Sequence, residues 1–242
     1  MSLTLFEILF IIVAFLTNIV QAVTGFAGTV LAMPPSIKLV GYDVARPVLN
    51  LAAIVICLIV AIVNFKSINI KKLLFIVAFM AVGFGIGYLI QRMNVNQTAL
   101  LRAYGAVICM LSICFMLSET LINFKMPKWF YPFIIILAGI LHFLYTSGGP
   151  LLIVFMAATV KDKNEFRATL STVWIFLNSA IFGLNISEGL FTPHIFFIAG
   201  IIIVVSLLSV ILGRIIAKKM NVITFRRFTY LLLFISGVLA VL

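Results

Sequence analysis

Two Gly-rich segments carry the polar residues that could hold a ligand inside an otherwise apolar chain. They read QAVTGFAGTVLAMP at 21–34 and HFLYTSGGPLLIVF at 142–155. Glycine lets backbone N–H groups approach a ligand without a Cβ in the way, and Ser, Thr and Pro are typical of a helix start. A helix start also presents unpaired N–H donors and a partial positive charge. Each segment therefore predicts an anion site that needs no charged side chain.

Polar side chains and bare backbone at the two tips, together with nearby helix residues, form the predicted substrate site. Its members are Gln21, Thr24, Gly25, Gly28, Asn50, His142, Tyr145, Thr146, Ser147, Gly148, Gly149 and Ser171. Ser147 or Thr146 is expected to cap the helix after the second tip, with Pro150 in its first turn, and Thr24 to cap the counterpart. Close helix packing is the alternative role for the glycines. The presence of two such segments, each beside a polar residue, favours a site.

Two further sets of polar residues recur every seven positions, which is about two helical turns, so each set lies on one helix face. The sets are Asn50, Cys57 and Asn64, and Ser171, Asn178 and Asn185. Arg46 and Arg167 precede them, and we predict that these cations attract anions to the two mouths of a cavity. Hydrogen bonding between helices is the alternative for the Asn and Ser residues, and contact with lipid phosphate is the alternative for either Arg.

Other kinds of chemistry lack the residues to carry them. The six acidic residues lie outside the centres of the apolar segments, whereas a cation path or a carboxylate proton relay would need some there. The chain has no HExxH, no GxSxG and no paired carboxylates, so we predict no catalytic residue, no metal and no cofactor. His142 is the one titratable side chain placed near mid-membrane. It is expected to be a proton carrier, a hydrogen-bond donor to substrate, or a structural residue.

The elements that position these residues are membrane helices. Hydrophobic residues make up 64% of the 242-residue chain and charged residues only 10%, and the mean hydropathy is +1.31. A soluble domain carries roughly 25% charged residues, so this chain cannot coat a water-soluble globule. The formal charge of +11 comes from Lys and Arg in short loops between apolar segments. There they face lipid head groups, which makes the bilayer a partner and disfavours nucleic acid.

Ten apolar segments divide into two repeats of five, within a single membrane domain. Repeat one, residues 1–120, is predicted to hold a hairpin at 3–40 and helices at 44–64, 73–91 and 98–118. Repeat two, residues 126–242, is predicted to hold a hairpin at 129–160 and helices at 168–186, 194–213 and 226–242. The second arm of each hairpin is too short for about 30 Å of hydrocarbon, so its tip is expected to stop within the membrane. A fully spanning hairpin stays open as the alternative.

Matching residues in the two halves indicate an internal duplication. A shift of 121 residues pairs Gln21 with His142, Gly28 with Gly149, Arg46 with Arg167 and Asn64 with Asn185. Later in the chain the shift drifts to about 125–127, which pairs Gly87 with Gly213 and Arg102 with Arg227. Matches of Leu or Ile are common in such a composition, but matches of Arg, Asn and Gly at a fixed shift are not.

The distribution of basic residues predicts the orientation of the chain. Most of the 17 Lys and Arg residues fall in loops that can all be cytoplasmic, and Lys38, Arg46, Arg92 and Arg102 are left outside. This orientation puts loop 65–72 inside and its counterpart 187–193 outside, with both termini outside. We therefore predict an all-α membrane protein with two inverted repeats, a construction seen in many secondary transporters.

At the two hairpins the chain resembles the TauE/SafE family of sulfite exporters. The residues that carry the resemblance are VTGFAGTVLAMP at 23–34 and AGILHFLYTSGGPLLIVF at 138–155. The resemblance implies a bacterial or archaeal cytoplasmic-membrane transporter of sulfite, sulfonates or related sulfur oxyanions. It points to the site residues Gly25, Gly28, Thr146, Ser147, Gly148 and Gly149. Phe143 stands where family members often have Gly after the His, and Ala27 stands where a second Gly is common, so the pocket shape departs from the family pattern.

The expected function is export of a small anion, sulfite or an organosulfonate, by alternating access. Moving one negative charge out of a cell gains about 2.3 kcal/mol per 100 mV, so such an exporter needs no coupling ion. A permease for another small anion, such as a carboxylate, is the first alternative. An intramembrane enzyme and a scaffold without substrate are the others. The oligomeric state stays open.

Overall fold

The computed structural model of the chain describes residues 3–24, 27–93, 96–117, 127–160, 162–219 and 222–242. These residues form α-helices and two 3₁₀ turns, with no strand among them. The helices are α1 Leu5–Thr24, α2 Ala27–Val40, α3 Tyr42–Val63, α4 Ile70–Arg92, α5 Gln97–Leu117, α6 Tyr131–Tyr145, α7 Gly149–Thr159, α8 Lys163–Ser187, α9 Pro193–Lys219 and α10 Val222–Val241. The all-helical prediction is confirmed, and each predicted segment corresponds to one helix.

Six of the described helices are long and apolar enough to cross a membrane. The spans are Leu5–Ala22, Tyr42–Val63, Ile70–Arg92, Lys128–Tyr145, Asn164–Ser187 and Pro193–Gly213. By contrast, α2 has 14 residues and α7 has 11, so at 1.5 Å per residue they rise only about 21 and 17 Å. Both are shorter than the hydrocarbon layer, as expected for the second arms of the hairpins. The chain is a multi-pass membrane protein.

Helices α8 and α9 extend furthest beyond their predicted bounds, for local reasons. Helix α8 begins at Lys163 rather than 168, because the Asp162 carboxylate accepts the backbone N–H of Glu165 at 2.7 Å and caps the polar first turn. Helix α9 continues to Lys219 rather than 213. Its last residues include Arg and Lys, which are good helix formers and are favoured at a helix C-terminus. Hydropathy alone could not find these turns, since they are polar.

Helices from the two halves of the chain interleave. Helix α1 packs on α2 and α9, and α6 packs on α7 and α4. In the centre α3 packs on α8 and α9, and α8 also packs on α4, while α10 packs on α5 and α2. Contacts between helices of the two halves, among them α1 with α9, α4 with α6 and α3 with α8, join the described helices into one body.

Glycine permits the closest of these crossings. A Cβ on Gly83 of α4 would overlap the carbonyl oxygen of Ile136 in α6, and it would lie 2.9 Å from the Cα of Gly139. A Cβ on Gly105 of α5 would likewise lie 2.6 Å from the carbonyl oxygen of Gly237 in α10. Small residues let membrane helices approach closely enough for backbone contact. Such packing stabilises helix association in lipid, where the hydrophobic effect does not favour contact between helices.

We predict that Gly83→Ala destabilises the protein by about 1–3 kcal/mol, because the added methyl group must push α4 away from α6. The matched control is Gly85→Ala on the same helix, where an added Cβ meets nothing within 4 Å. That control is expected to be neutral or stabilising, since Ala favours a helix over Gly. Thermal unfolding in detergent measures both, and equal unfolding temperatures for the two variants would contradict the packing argument.

Candidate functional site

The candidate site is a small cavity where the two hairpins meet the central helices. It has a volume of about 20 Å³ and is lined by Gln21, Thr29, Ala53, Cys57, His142, Thr146, Gly149, Trp174 and Asn178. A neighbouring cavity of about 10 Å³ shares three of these residues and adds Asn18 and Gly28. Each volume is close to what one water molecule needs. The state described is therefore closed around a polar centre that is too small for an oxyanion.

His142 is held in one orientation by a chain of hydrogen bonds. The Asn178 amide oxygen accepts from Asn50 Nδ2 at 3.0 Å and also lies 3.0 Å from His142 Nε2. An amide oxygen can only accept, so the His142 proton is assigned to Nε2. His142 Nδ1 then accepts, at a long 3.5 Å, from the backbone N–H of Gly148. The network joins α3, α6 and α8 at the centre of the protein.

Aromatic rings fix the plane of the imidazole. The Trp174 ring stacks on it with centroids 4.6 Å apart, and the Phe84 ring lies nearly parallel at 5.9 Å. Both rings limit rotation about the His142 side-chain bonds. The part of the cavity lining made by His142 and Trp174 is therefore rigid.

Helix α6 ends inside the protein, and each of its last four carbonyl groups has a partner. The His142 carbonyl accepts from the Thr146 backbone N–H at 2.7 Å, and the Tyr145 carbonyl accepts from the Ser147 hydroxyl at 2.6 Å. Two side chains of α3 complete the set, because Arg46 Nη2 donates to the Phe143 carbonyl at 3.1 Å and the Tyr42 hydroxyl donates to the Leu144 carbonyl at 2.7 Å. These are the groups that a helix leaves unpaired at its C-terminus.

Arg46 is fully buried and lies at this helix end rather than at an open mouth. Its guanidinium stands 5.5 Å from the Tyr42 ring centroid and 5.1 Å from that of Phe143. The nearest carboxylate is that of Glu188, at 4.0 Å from Nη1. A helix C-terminus carries partial negative charge, which favours a cation there. By contrast Arg167, its counterpart in the repeat, is exposed. The predicted attraction of anions by these two residues stays a prediction.

The start of α7 differs from the predicted cap. Its N-cap residue is Gly148, and no side chain caps it. Because the Ser147 hydroxyl binds the Tyr145 carbonyl, and Thr146 adopts a left-handed conformation with φ 52°, the expected capping by Ser147 or Thr146 was wrong. Pro150 does lie in the first turn. The Thr146 hydroxyl is buried, lines the cavity and has no hydrogen-bond partner among the described residues.

The other predicted site residues divide between the cavity and its surroundings. The Gln21 side chain lies against Gly28, where an added Cβ would overlap its amide oxygen. Tyr145 stacks on Tyr104 with centroids 4.5 Å apart and does not line the cavity. Ser171 is half-buried and also lies outside the lining. Gly25 and the side chain of Thr24 lie outside the described residues.

Five lining residues were absent from the predicted site. They are Thr29, Ala53, Cys57, Trp174 and Asn178, of which Cys57 and Asn178 belong to the predicted polar stripes. The repeat offers a signal for most of them, since the shift of 121 pairs Ala53 with Trp174 and Cys57 with Asn178. Ala and Trp carry no obvious site chemistry, so a search for polar residues passes over them.

Comparison with known families gives one match to these hairpins and to the rest of the chain. The family model described as Sulfite exporter TauE/SafE matches residues 10–240. The chain belongs to the TauE/SafE family. No curated protein and no solved structure matches it. The resemblance predicted from the hairpin sequences is therefore confirmed.

Membership of the TauE/SafE family makes the chain a membrane transporter of the sulfite-exporter type. The matched residues include both hairpins and every helix that lines the cavity. In a transporter, non-helical backbone at membrane depth is tolerated where it lines a cavity or is buried in protein. The break between α6 and α7 meets both conditions, which makes the cavity beside it the candidate substrate site.

We predict that Arg46→Met destabilises this TauE/SafE protein by about 1–3 kcal/mol, because the buried Phe143 carbonyl loses its donor. Arg167→Met removes the repeat counterpart from an exposed position and is expected to change stability by no more than about 0.5 kcal/mol. Thermal unfolding of the two purified variants in the same detergent provides the comparison. If Arg46→Met unfolded at the wild-type temperature, the hydrogen bond from Arg46 to the Phe143 carbonyl would not be required for stability.

Proposed function

We propose that this protein exports a small anion, sulfite or an organosulfonate, which binds in the central cavity between the two hairpins. The observation that carries the proposal is the meeting of an uncapped helix start with an unpartnered buried hydroxyl. Gly149, the first residue of α7, lines the cavity together with Thr146, and no side chain caps this helix start. The positive end of the α7 dipole and the Thr146 hydroxyl, which has no hydrogen-bond partner among the described residues, are neutral groups that can bind an oxyanion.

The proposed architecture is a pair of inverted repeats, and equivalent contacts in the two halves support it. The Ser209 hydroxyl of α9 donates to the Phe15 carbonyl of α1 at 3.0 Å. The shift of 121 pairs Phe15 with Ile136, and the later shift of 126 pairs Gly83 with Ser209. Gly83 and Ile136 are also in contact, at the place where α4 crosses α6. The crossings α1–α9 and α6–α4 therefore use matching positions, as two copies related by an axis would.

The cavity itself is lined by pairs of equivalent residues. The shift of 121 relates Gln21 to His142, Ala53 to Trp174 and Cys57 to Asn178, and all six line one cavity. A site on the axis between two repeats receives the same positions from each. Substrate sites at the interface between repeats are typical of secondary transporters. This supports the cavity as the binding site in preference to any groove that faces the lipid.

Polar contacts seal the described state at both ends of the central helices. At one end Arg46 reaches toward Glu188 at the end of α8. At the other, Lys72 Nζ lies 2.9 Å from Glu165 and donates to the Thr159 carbonyl at 2.7 Å, which joins α4 to α7 and α8. With the predicted orientation these two groups face the outside and the cytoplasm respectively. Transport then requires each seal to open in turn, with the cavity enlarging around the anion.

The short arms indicate how the seals alternate. Helix α2 packs on α3 and α10, and the Ser236 hydroxyl of α10 donates to the Val30 carbonyl at 3.2 Å. Among the described residues, α7 packs on α6 and α2 but has little contact with α8 or α5, which are the equivalent neighbours. In the second state of the transporter, each short arm would have the contacts that the other arm has in the described state. We therefore propose that α7 docks on α8 and α5 as α2 leaves α3 and α10.

The remaining features of the proposal follow from orientation and charge. The protein lies in a bacterial or archaeal cytoplasmic membrane with both termini outside. Its partners are the anion and the lipid bilayer, without nucleic acid. A negative interior drives anions outward with about 2.3 kcal/mol per charge for each 100 mV. Export of one or two negative charges therefore proceeds uphill in concentration with no coupling ion.

A transport assay with an imposed potential tests the proposal. Proteoliposomes loaded with sulfite are expected to release it faster when a potassium diffusion potential makes the interior negative. Protein-free liposomes with the same potential measure the leak. Efflux that ignores the potential would contradict electrogenic export, whereas efflux of acetate in place of sulfite would favour the carboxylate permease. A chemical change in the released sulfite would favour an enzyme.

We predict that Thr146→Val weakens sulfite binding about tenfold or more without lowering stability. The change keeps the shape of the side chain and removes a hydroxyl that has no hydrogen-bond partner among the described residues, so the hydrogen bond that is lost is the one to a bound anion. Thr172→Val is the matched control, because the Thr172 hydroxyl donates to the Ala168 carbonyl of its own helix at 2.8 Å and does not line the cavity. Titration calorimetry and thermal unfolding measure the two properties, and equal affinities for both variants would remove Thr146 from the site.

A further inference from the structure

We propose that the central site takes its oxyanion in the singly charged form and rejects the doubly charged form. This inference rests on the proposed function and specifies the substrate of the same cavity. For sulfite, the bound species would be the monoprotonated anion. For sulfonates, which carry one charge over the whole physiological range, the natural form would already fit.

The first step is the charge of the cavity lining. Its described side chains are those of Gln, Thr, Ala, Cys, His, Trp and Asn, and none of them is an acid, a lysine or an arginine. The neighbouring smaller cavity adds Asn18, Gly28, Ala32, Leu49 and Ala52, which are equally uncharged. Among the described residues, a ligand at this place contacts dipoles and no side chain with a full positive charge.

The second step is the neutrality of His142, the one lining residue that could become a cation near neutral pH. Its Nε2–H is committed to the Asn178 amide oxygen, which also accepts from Asn50. Its Nδ1 faces the backbone N–H of Gly148 at 3.5 Å. A second proton on Nδ1 would point at that N–H, donor against donor. Cys57, the other titratable residue of the lining, can supply only negative charge.

The third step concerns Arg46, the buried cation of α3. Its Nη2 donates to the Phe143 carbonyl, and its Nη1 lies 4.0 Å from the Glu188 carboxylate. Its Nε and Nη1 have no hydrogen-bond partner among the described residues. The negative end of α6 beside it offsets part of its charge, and Arg46 does not line the cavity. A ligand in the cavity therefore does not contact this cation directly.

A neutral, buried site discriminates by charge for a general reason. The free energy of removing an ion from water rises with the square of its charge, so a dianion costs about four times as much as a monoanion of similar size. The attraction to fixed dipoles, such as the α7 start and the Thr146 hydroxyl, rises only in proportion to the charge, about twofold. Dipoles that suffice for one charge consequently fall short for two.

Binding measurements on the purified full-length chain test the inference with three probes. Sulfite takes up a proton near neutral pH, methanesulfonate stays singly charged, and sulfate stays doubly charged. Titration calorimetry across neutral pH is expected to show sulfite affinity falling by about tenfold for each pH unit above the sulfite pKa, since only the competent fraction binds. Methanesulfonate affinity is expected to stay constant, and sulfate is expected to bind far more weakly at every pH.

The three probes separate failure of the inference from failure of the proposed function. Sulfite affinity that is constant or rises with pH, or sulfate that binds as tightly as methanesulfonate, would overturn the monoanion inference and leave an anion carrier. Methanesulfonate affinity that falls with pH as steeply as that of sulfite would also overturn it, because a group of the protein would then be titrating. No binding of any probe by folded protein would overturn the anion carrier itself.

Discussion

A helix that ends inside a membrane protein leaves four carbonyl groups where water cannot reach them, and this constraint governs the centre of the molecule. At the end of α6 the four acceptors are satisfied by the Thr146 backbone, the Ser147 hydroxyl, Arg46 and Tyr42. Two of these donors come from α3, in the other half of the chain. The hairpin of α6 and α7 therefore depends for its stability on α3, in the first half of the chain.

The same break has opposite consequences on its two sides. Acceptors at the end of α6 are matched by protein donors, and one of those donors is the Ser147 hydroxyl that would otherwise cap α7. At the start of α7 no side chain caps the helix, and the Thr146 hydroxyl has no partner among the described residues, which is why we propose that an anion binds there. Arg46, which donates at the acceptor side, does not line the cavity. The polar groups of the candidate site are thus those that do not bind the carbonyl groups at the end of α6.

Several features could be predicted from the sequence because they depend on local composition and spacing. Hydropathy located all ten helices, and the Gly-rich tips marked the breaks in both hairpins. The shift of 121 residues related Gln21 to His142 before any contact between helices was known. The bounds of α8 and α9 were missed, since polar turns stabilised by a cap or by helix propensity leave no hydropathy signal. Family membership followed from the hairpin residues alone.

The sequence by itself determined that this chain crosses a membrane many times and carries two Gly-rich breaks beside polar residues. Only the tertiary structure decided which polar groups are committed to the protein and which are free. Ser147 was predicted to contact the ligand and Arg46 to attract anions to a cavity mouth, yet both bind the end of α6. Ala53 and Trp174, which were not among the predicted site residues, line the cavity. The physical reason is that hydrogen-bond partners and cavity walls come from helices more than 90 residues apart, and no local pattern reports which side chain fills which unpaired group.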